Sequence, residues 1–455
     1  MMDNESEFYQ PVTRKIVKEF ATEIEQAKLK TDSLISIYFR DEDREGKTRR
    51  VWKVPFNLLR FRKDNGRIST DVEDYETNHS LLDETRHDTQ KELKRFLKEK
   101  DPNKTEELKR SIRHRGQEHP AIITVDGFLI NGNRRRLVLE ELYDETKDSR
   151  FQYMKVVILP SEDQEGGAPN IFEIEKIENR YQLQSDGKSE YSGLDRAVSI
   201  RSKINKGYSL EEQLRDDAQF RDLSQKEFSN KIKDFEKEYL KPLEAVDRYL
   251  DFLNRKKRYR TIKGQWQSFI DYYQYIEQKI DDNNFIIEHG IRENDIGAIK
   301  AAAFHLIRYP DFSKVGIRKS HFVIRDMGRR WIRTKESRNE FLRMVDSVRD
   351  LNDNEKFDKF GNEYEDIDQD KFWATNNSTV ILGTVKRAKD IIESQDEAEK
   401  PIKLLEGAYN KLIHPGMEIS MIPPEEIEYA IKLAEKIEKC ADEIKTKIYY
   451  LKKNK

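Results

Sequence analysis

Strand-like runs in this chain end at Leu159. Ser33 to Phe39 (SLISIYF), Arg50 to Val54 (RVWKV), Ala121 to Val125 (AIITV), Phe128-Leu129-Ile130 and Tyr153 to Leu159 (YMKVVIL) are short β-branched and aromatic stretches. Charged or glycine-bearing turns separate them, among them DEDREGK, the hairpin pair Asp126-Gly127 and SEDQEGGAPN. From Ile171 onward the apolar residues recur almost without break at helical spacing. This pattern predicts an α+β N-terminal part followed by predominantly all-α domains. Helices are expected over 13–30, 104–114 and 134–143, and the polar stretch 64–100 reads as a charged insertion or loop with helical pieces.

The length of 455 residues suggests two to four domains. Charged residues make up 38% against 36% hydrophobic, yet the 10% aromatics supply apolar area for several small cores. No run approaches the roughly 18 apolar residues that span a bilayer, so no membrane partner is expected. The acidic N-terminus, MMDNESEFYQ, does not read as a signal peptide. A single cysteine, Cys440, excludes an intramolecular disulfide framework and Cys-rich metal sites. The expectation is a cytosolic chain.

The net charge of −2 hides local asymmetry. Ser313 to Glu340 carries nine Lys/Arg opposed only by Asp326, Glu336 and Glu340. The run Arg255-Lys256-Lys257-Arg258-Tyr259-Arg260 holds five positive charges in six residues. Clusters of this kind suit a polyanion, and equally a solvated helix end. Between Ile317 and Arg333 basic and aromatic residues interleave. That suits nucleic acid, or a core helix with Phe322, Trp331 and Ile332 turned inward.

The most informative segment is Ile130-Asn131-Gly132-Asn133-Arg134-Arg135-Arg136. A strand ends, a glycine permits a tight turn, and a helix opens with three arginines. The helix dipole disfavours cations there, so an anion is expected to compensate, and guanidinium forks match phosphate. The alternative is that these arginines are solvated or pair with Glu140 and Glu141.

Four segments in order resemble the ParB/sulfiredoxin superfamily. They are Val54-Pro55-Phe56-Asn57-Leu58-Leu59-Arg60; Ser111-Ile112 with Gly116 and Pro120; Gly132 with Arg134 and Arg135; and Glu178-Asn179-Arg180-Tyr181-Gln182. The resemblance implies a nucleoside triphosphate, CTP or ATP, with Mg2+. It puts Gly116, Pro120, Gly132, Asn133, Arg134 and Arg135 around the nucleotide and Glu178 and Asn179 near the metal, converging on one triphosphate. Asn133 stands where the family has a glutamate. His119 stands where it has a glutamine associated with hydrolysis, and is the candidate catalytic residue for a weak NTPase. The sulfiredoxin branch needs a cysteine in the arginine turn, and none is present.

Downstream, Asp222 to Ile232 resembles the first helix of a helix-turn-helix, and Pro242 to Leu253 its recognition helix. Arg248 and the run Arg255, Lys256, Lys257, Arg258 and Arg260 are the DNA-binding candidates, although Glu244 and Asp247 would repel phosphates. The expected organisation is 1–45, an N-terminal helix and first strand; 46–188, a nucleotide-binding domain; 189–262, a helix-turn-helix-like domain; and 263–455, a helical region for dimerisation or a helical protein partner. Boundaries are read near 183–192 and 260–265. The resemblance implies a nucleotide-regulated DNA-binding protein acting on plasmid, chromosomal or invading DNA in a bacterial cytoplasm, in partition or defence. The rival is an enzyme of the same fold, a nuclease or an ATP-dependent phosphotransferase.

Overall fold

A short helix, α1 (Lys18–Ala27), leads directly into the first strand of a four-stranded mixed sheet, so the expected 13–30 helix stops early and its last residues are already extended. The computed structural model describes residues 14–37, 39–40, 47–164, 166–183, 193–215, 220, 223–262, 264–358 and 361–453. The strands are β1 (Leu29–Ile37), β2 (Lys47–Pro55), β3 (Ala121–Ile123) and β4 (Tyr153–Ile158), in the order β1-β2-β4-β3. β1 pairs with β2 and β2 with β4 antiparallel, while β3 and β4 run parallel. Residues 128–130 return beside β3 through isolated bridges rather than a full strand. Asp126 at that turn is fully buried. It accepts from Thr124, from Arg14 (2.8 Å) and from the Val17 N–H (3.1 Å), which fixes the start of α1.

Alternation along the strands divides the core into two layers. Ala121, Ile123, Met154 and Val156 face one apolar cluster; Ile122 and Val157 face the other. The first layer is completed by α2 (Ser69–Asn78), α3 (His87–Glu99), α4 (Pro102–Arg115) and α5 (Asn133–Thr146). The stretch 64–100 is thus part of the core, through Ile68, Val72, Leu82, Leu93, Phe96 and Leu97. Apart from the exposed Leu81, its few apolar residues pack into this cluster, and the abundant charge hides that face from a compositional reading. The second layer receives Ile174 and Ile177 of α6 (Ile171–Leu183).

The rest is helical: α7 (Gly193–Asn205), α8 (Leu210–Arg215), α9 (Gln225–Phe235), α10 (Lys241–Phe252), α11 (Trp266–Tyr272), α12 (Gln278–Ile280), α13 (Asn283–Glu288), α14 (Glu293–Arg308), α15 (Ser320–Asp326), α16 (Lys335–Ser347), α17 (Asp353–Lys356), α18 (Asp366–Leu412) and α19 (Ile427–Lys453). The expected turn between two DNA-binding helices is absent. A π-helical stretch, Glu236–Leu240, joins α9 to α10 without a break. Pro242 supplies the reason: its ring would strike the carbonyl four residues back in a regular helix, and widening to π spacing relieves that contact. The helix-turn-helix reading is corrected to one continuous helix; Asp222 itself lies outside the described residues.

Tyr249 of α10 packs edge-on against Phe269 of α11 (5.2 Å) and Phe304 of α14 (5.6 Å), so the helical core runs through the expected boundary near 260–265. The chain divides instead into units 1–388 and 389–455. The other expected boundary falls mostly on residues outside the description.

Candidate functional site

Gly132 adopts φ +85° as the chain leaves the hairpin for α5. A Cβ there would stand 2.7 Å from the Ala121 Cβ and 3.0 Å from the Met154 Cε, so only glycine lets the turn settle against the sheet. The three arginines that follow go three ways. Arg136 donates to the Phe56 carbonyl (3.1 Å) and lies over the Phe61 ring (4.0 Å). Arg135 donates to the carbonyls of His119 and Pro120 (3.0 Å for the latter), which holds the loop after α4. Burial lowers the pKa of both to about 10. Arg134 reaches outward to Asp101 (3.0 Å). Its pKa is lowered by burial and then by the neighbouring Arg67, against the attraction of Asp101.

The other residues of this turn are placed as follows. Gly116, at φ +73°, ends α4. The side chain of buried Gln117 bonds the Lys155 backbone in β4 through both its amide oxygen (2.7 Å) and nitrogen (2.8 Å). The His119 ring is exposed, and the bond at this residue uses its carbonyl. Asn133 is 8% exposed, and its Oδ1 has no hydrogen-bond partner.

The acid–amide pair lies in a separate, closed cluster. Glu178 is 1% exposed; it accepts from the Gly66 N–H (3.1 Å) and from Arg62 (3.3 Å). Arg62 also holds Glu175 (3.1 Å), and Lys203 bonds Asn179 and stands 3.5 Å from Glu175. Burial and the Glu175 charge raise the Glu178 pKa, opposed by Arg62 and Lys203. Two cations already occupy the place a metal would take, so these residues do not fit Mg2+ as they stand. Among the described residues, no group of three or more His, Cys, Asp or Glu is arranged to hold a metal. Arg134, Arg135, Glu178 and Asn179 line neither of the two clefts described for this chain. Segment 62–68 lies between the arginine turn and the acid–amide pair, its Gly66 N–H on Glu178 and its Arg67 beside Arg134.

A cleft of about 1090 Å3 opens beside Arg67 and Asp101. One wall comes from α2 and the α3–α4 corner, with Arg67, Asp74 and Asp101; the other comes from residues 258–261 and 363–367. Ion pairs bind the walls together. Lys100 holds Asp71 and Asp195, both at 2.9 Å. Arg260 holds Glu99 (2.6 Å) and Asp71 (3.3 Å). Burial raises the Asp74 pKa to about 6, with Asp366 and Asp71 adding to the rise and Arg260 and Arg258 opposing it.

The expected DNA-binding arginines are built into this framework. Arg255 is buried against Asp366 (2.8 Å) and Asp370 (2.9 Å), and Arg258 pairs with Asp366 (3.2 Å). Arg248 pairs with Glu277 (2.6 Å). Lys256 and Lys257 are the exposed members of the run besides Arg260. A phosphate gripped by Arg255 or Arg258 would have to displace a carboxylate.

A different surface carries exposed cations. Trp331 and Ile332 turn into the core, but Phe322 stays 39% exposed. Along its face, Arg325 lies 5.6 Å from both the Phe322 and Tyr275 rings, and Arg329 lies 4.4 Å over Tyr275 and donates to its hydroxyl (2.8 Å). Arg325 is paired with Asp271 (3.0 Å). Arg318, Lys319, Arg330 and Arg333 are exposed in the same segment. Gly328 makes the ladder possible, because a Cβ there would stand 2.2 Å from the Tyr275 carbonyl oxygen. The i, i+3, i+7 spacing of Phe322, Arg325 and Arg329 is the signal that could have separated this outer stripe from the inward Trp331.

Comparison with known proteins returned no matching family model, curated protein or solved structure. Among the described residues no helix is long and apolar enough to cross a membrane.

Proposed function

We propose that this chain is a ParB-like, nucleotide-responsive DNA-binding protein. The observation that carries the reading is Arg134 at the first turn of α5, a half-buried guanidinium whose pKa is lowered by burial and then by the charge of neighbouring Arg67. Like charges brought together beside a helix N-terminus favour an anion, and the phosphates of CTP or ATP fit that demand. The β3–α5–β4 parallel crossover opening on arginines also supports the ParB-like fold. The Mg2+ of such a ligand would travel with its phosphates, since Glu178 and Asn179 are already engaged by cations. DNA would lie on the Phe322–Arg325–Arg329 ladder, where cations and exposed rings suit a nucleic-acid strand. The nucleotide would act by biasing the ion pairs of the adjacent cleft, which requires unequal affinity for two arrangements of its walls.

Isothermal titration with CTP, ATP and GTP, each with and without Mg2+, tests the nucleotide. One of them should bind, and Arg134→Ala should abolish the heat. No binding by any, or an unchanged Arg134→Ala, defeats the assignment. DNA retention should weaken with salt and be lost in Phe322→Ala/Arg329→Ala. Asp74, a carboxyl poised near neutrality in a cleft, favours one second reading, a phosphotransferase of the same fold. Nucleotide-dependent phosphate transfer without DNA retention would establish that reading instead.

A further inference from the structure

A second cleft, of about 590 Å3, opens beside α10. That volume is ordinary for a small-molecule site. α10 lines it with Lys241, Glu244 and Arg248, and the stretch after α11 lines it with Tyr273, Glu277 and Asp281. Two π-helical stretches border it. Glu236–Leu240 runs into Lys241, and Tyr273–Glu277 joins α11 to α12. Turns widened in this way recur at functional sites.

The most buried charge of the cleft is Glu277, 7% exposed. Arg248 donates to both of its oxygens, at 2.6 Å for one of them. Asp281 is held more loosely, 3.6 Å from Lys300. Tyr272 adjoins this pair. Its side chain is fully buried and its hydroxyl has no hydrogen-bond partner. Burial raises its pKa, and the charges that act on it next, Glu277, Arg248 and Asp281, all line the cleft. The hydroxyl is therefore turned to the cleft, and a buried O–H without an acceptor is a cost that a ligand can relieve.

We propose that this cleft binds a small zwitterion of the α-amino-acid class, which opens the Arg248–Glu277 pair and replaces each partner for the other. The ligand's carboxylate lies on Arg248 and accepts from the Tyr272 hydroxyl; its ammonium donates to Glu277 and Asp281. Charge selects this class. A simple anion drawn to Arg248 would strand Glu277 where it is buried, and leaving one member of such a pair alone is the costly outcome. A simple cation drawn to Glu277 would leave Arg248 facing a like charge. A zwitterion leaves neither group alone. Its two charges sit on either side of one carbon, which matches a pair in direct contact. The guanidinium fork suits a carboxylate, and an ammonium has donors for both acids. The cleft shares no residue with the arginine turn, so this ligand is separate from the proposed nucleotide.

Isothermal titration of the full chain with each standard L-amino acid, and with ethylamine and propionate as singly charged probes, tests the assignment. At least one amino acid should bind, and the singly charged probes should bind at least about tenfold more weakly. Tyr272→Phe removes only the unpaired hydroxyl. Its thermal melt should match or exceed that of the parent, while its affinity falls about tenfold, the worth of one hydrogen bond to a charged group. Arg248→Met/Glu277→Met removes the pair without stranding a charge and should abolish binding in a folded chain. Absence of binding by every amino acid at millimolar concentration overturns the proposal. So does ethylamine or propionate binding as tightly as the best amino acid. An unchanged affinity in Tyr272→Phe overturns the placing of the carboxylate.

Discussion

Replacing Arg62 with leucine removes the cation shared by two buried carboxylates. Glu175 and Glu178 are 2% and 1% exposed, at 3.1 and 3.3 Å from the guanidinium. Burial works against the arginine's charge, yet Glu175, Glu178 and Asp64 outweigh it and raise its pKa, so it stays charged through the accessible range. Breaking a buried pair from one side costs about 3–5 kcal/mol, because the remaining charge is stranded. Lys203 stays 3.5 Å from Glu175, and the Gly66 N–H still serves Glu178. Those remaining partners place the loss near the lower bound, about 3 kcal/mol, a large share of the roughly 5–15 kcal/mol that holds a typical fold. The pH dependence follows from the same cluster. Burial, then Glu175, already holds the Glu178 pKa above its ordinary value, and losing Arg62 raises it further. The native state of the variant then binds a proton more tightly than the unfolded chain. Its stability is lost as pH rises through the folded pKa and recovered as pH falls. Urea unfolding of both chains, followed by tryptophan fluorescence, should therefore show a larger deficit at pH 7.5 than at pH 5. A deficit below about 1 kcal/mol at pH 7.5 would refute the cluster's structural role, and equal deficits at the two pH values would refute the electrostatic account.

Three further outcomes are expected. Asp74, raised to about 6 chiefly by burial, favours the native state when protonated and loses that contribution as pH rises through about 6; Asp74→Asn should gain up to about 1 kcal/mol at pH 7.5 after solvent screening and nothing at pH 4 by the same denaturation assay. His305, stacked on Trp373 at 5.5 Å, has its pKa pushed down to about 4 by burial and then by Arg308, with Asp350 opposing. Its contribution is full above the ordinary histidine value and falls away toward pH 4, a loss of about 3 kcal/mol that His305→Gln should flatten in a pH series of thermal melts. Gly328→Ala should push the 327–331 turn off Tyr275, costing at least about 1–3 kcal/mol and weakening DNA retention on filters.

Part of this molecule was legible in its residues. Period-two runs located the strands, because one-face burial imposes alternation, and Asp126-Gly127 marked its turn by backbone demand. Gly132 announced a tight bend, and φ +85° against Ala121 bears that out. Other features had no local signature. Residues 64–100 look like a solvated insertion until Leu93 and Phe96 are seen under the sheet, since sparse apolar residues become a core only when a partner surface meets them. The same holds for the basic run at 255–260: spacing shows five cations, but Asp366 and Asp370, more than a hundred residues away, determine that Arg255 is buried.

The sequence by itself located the strands of the sheet and the bend before α5, because backbone preference and side-chain period act between near neighbours. Only the tertiary structure decided which charges are spent. It left Arg134 beside Arg67, enclosed Glu178 with Arg62, and turned Phe322 outward while Trp331 went in. Coulomb energy and desolvation depend on distances through space and on exclusion of water, and neither quantity exists until the chain has folded.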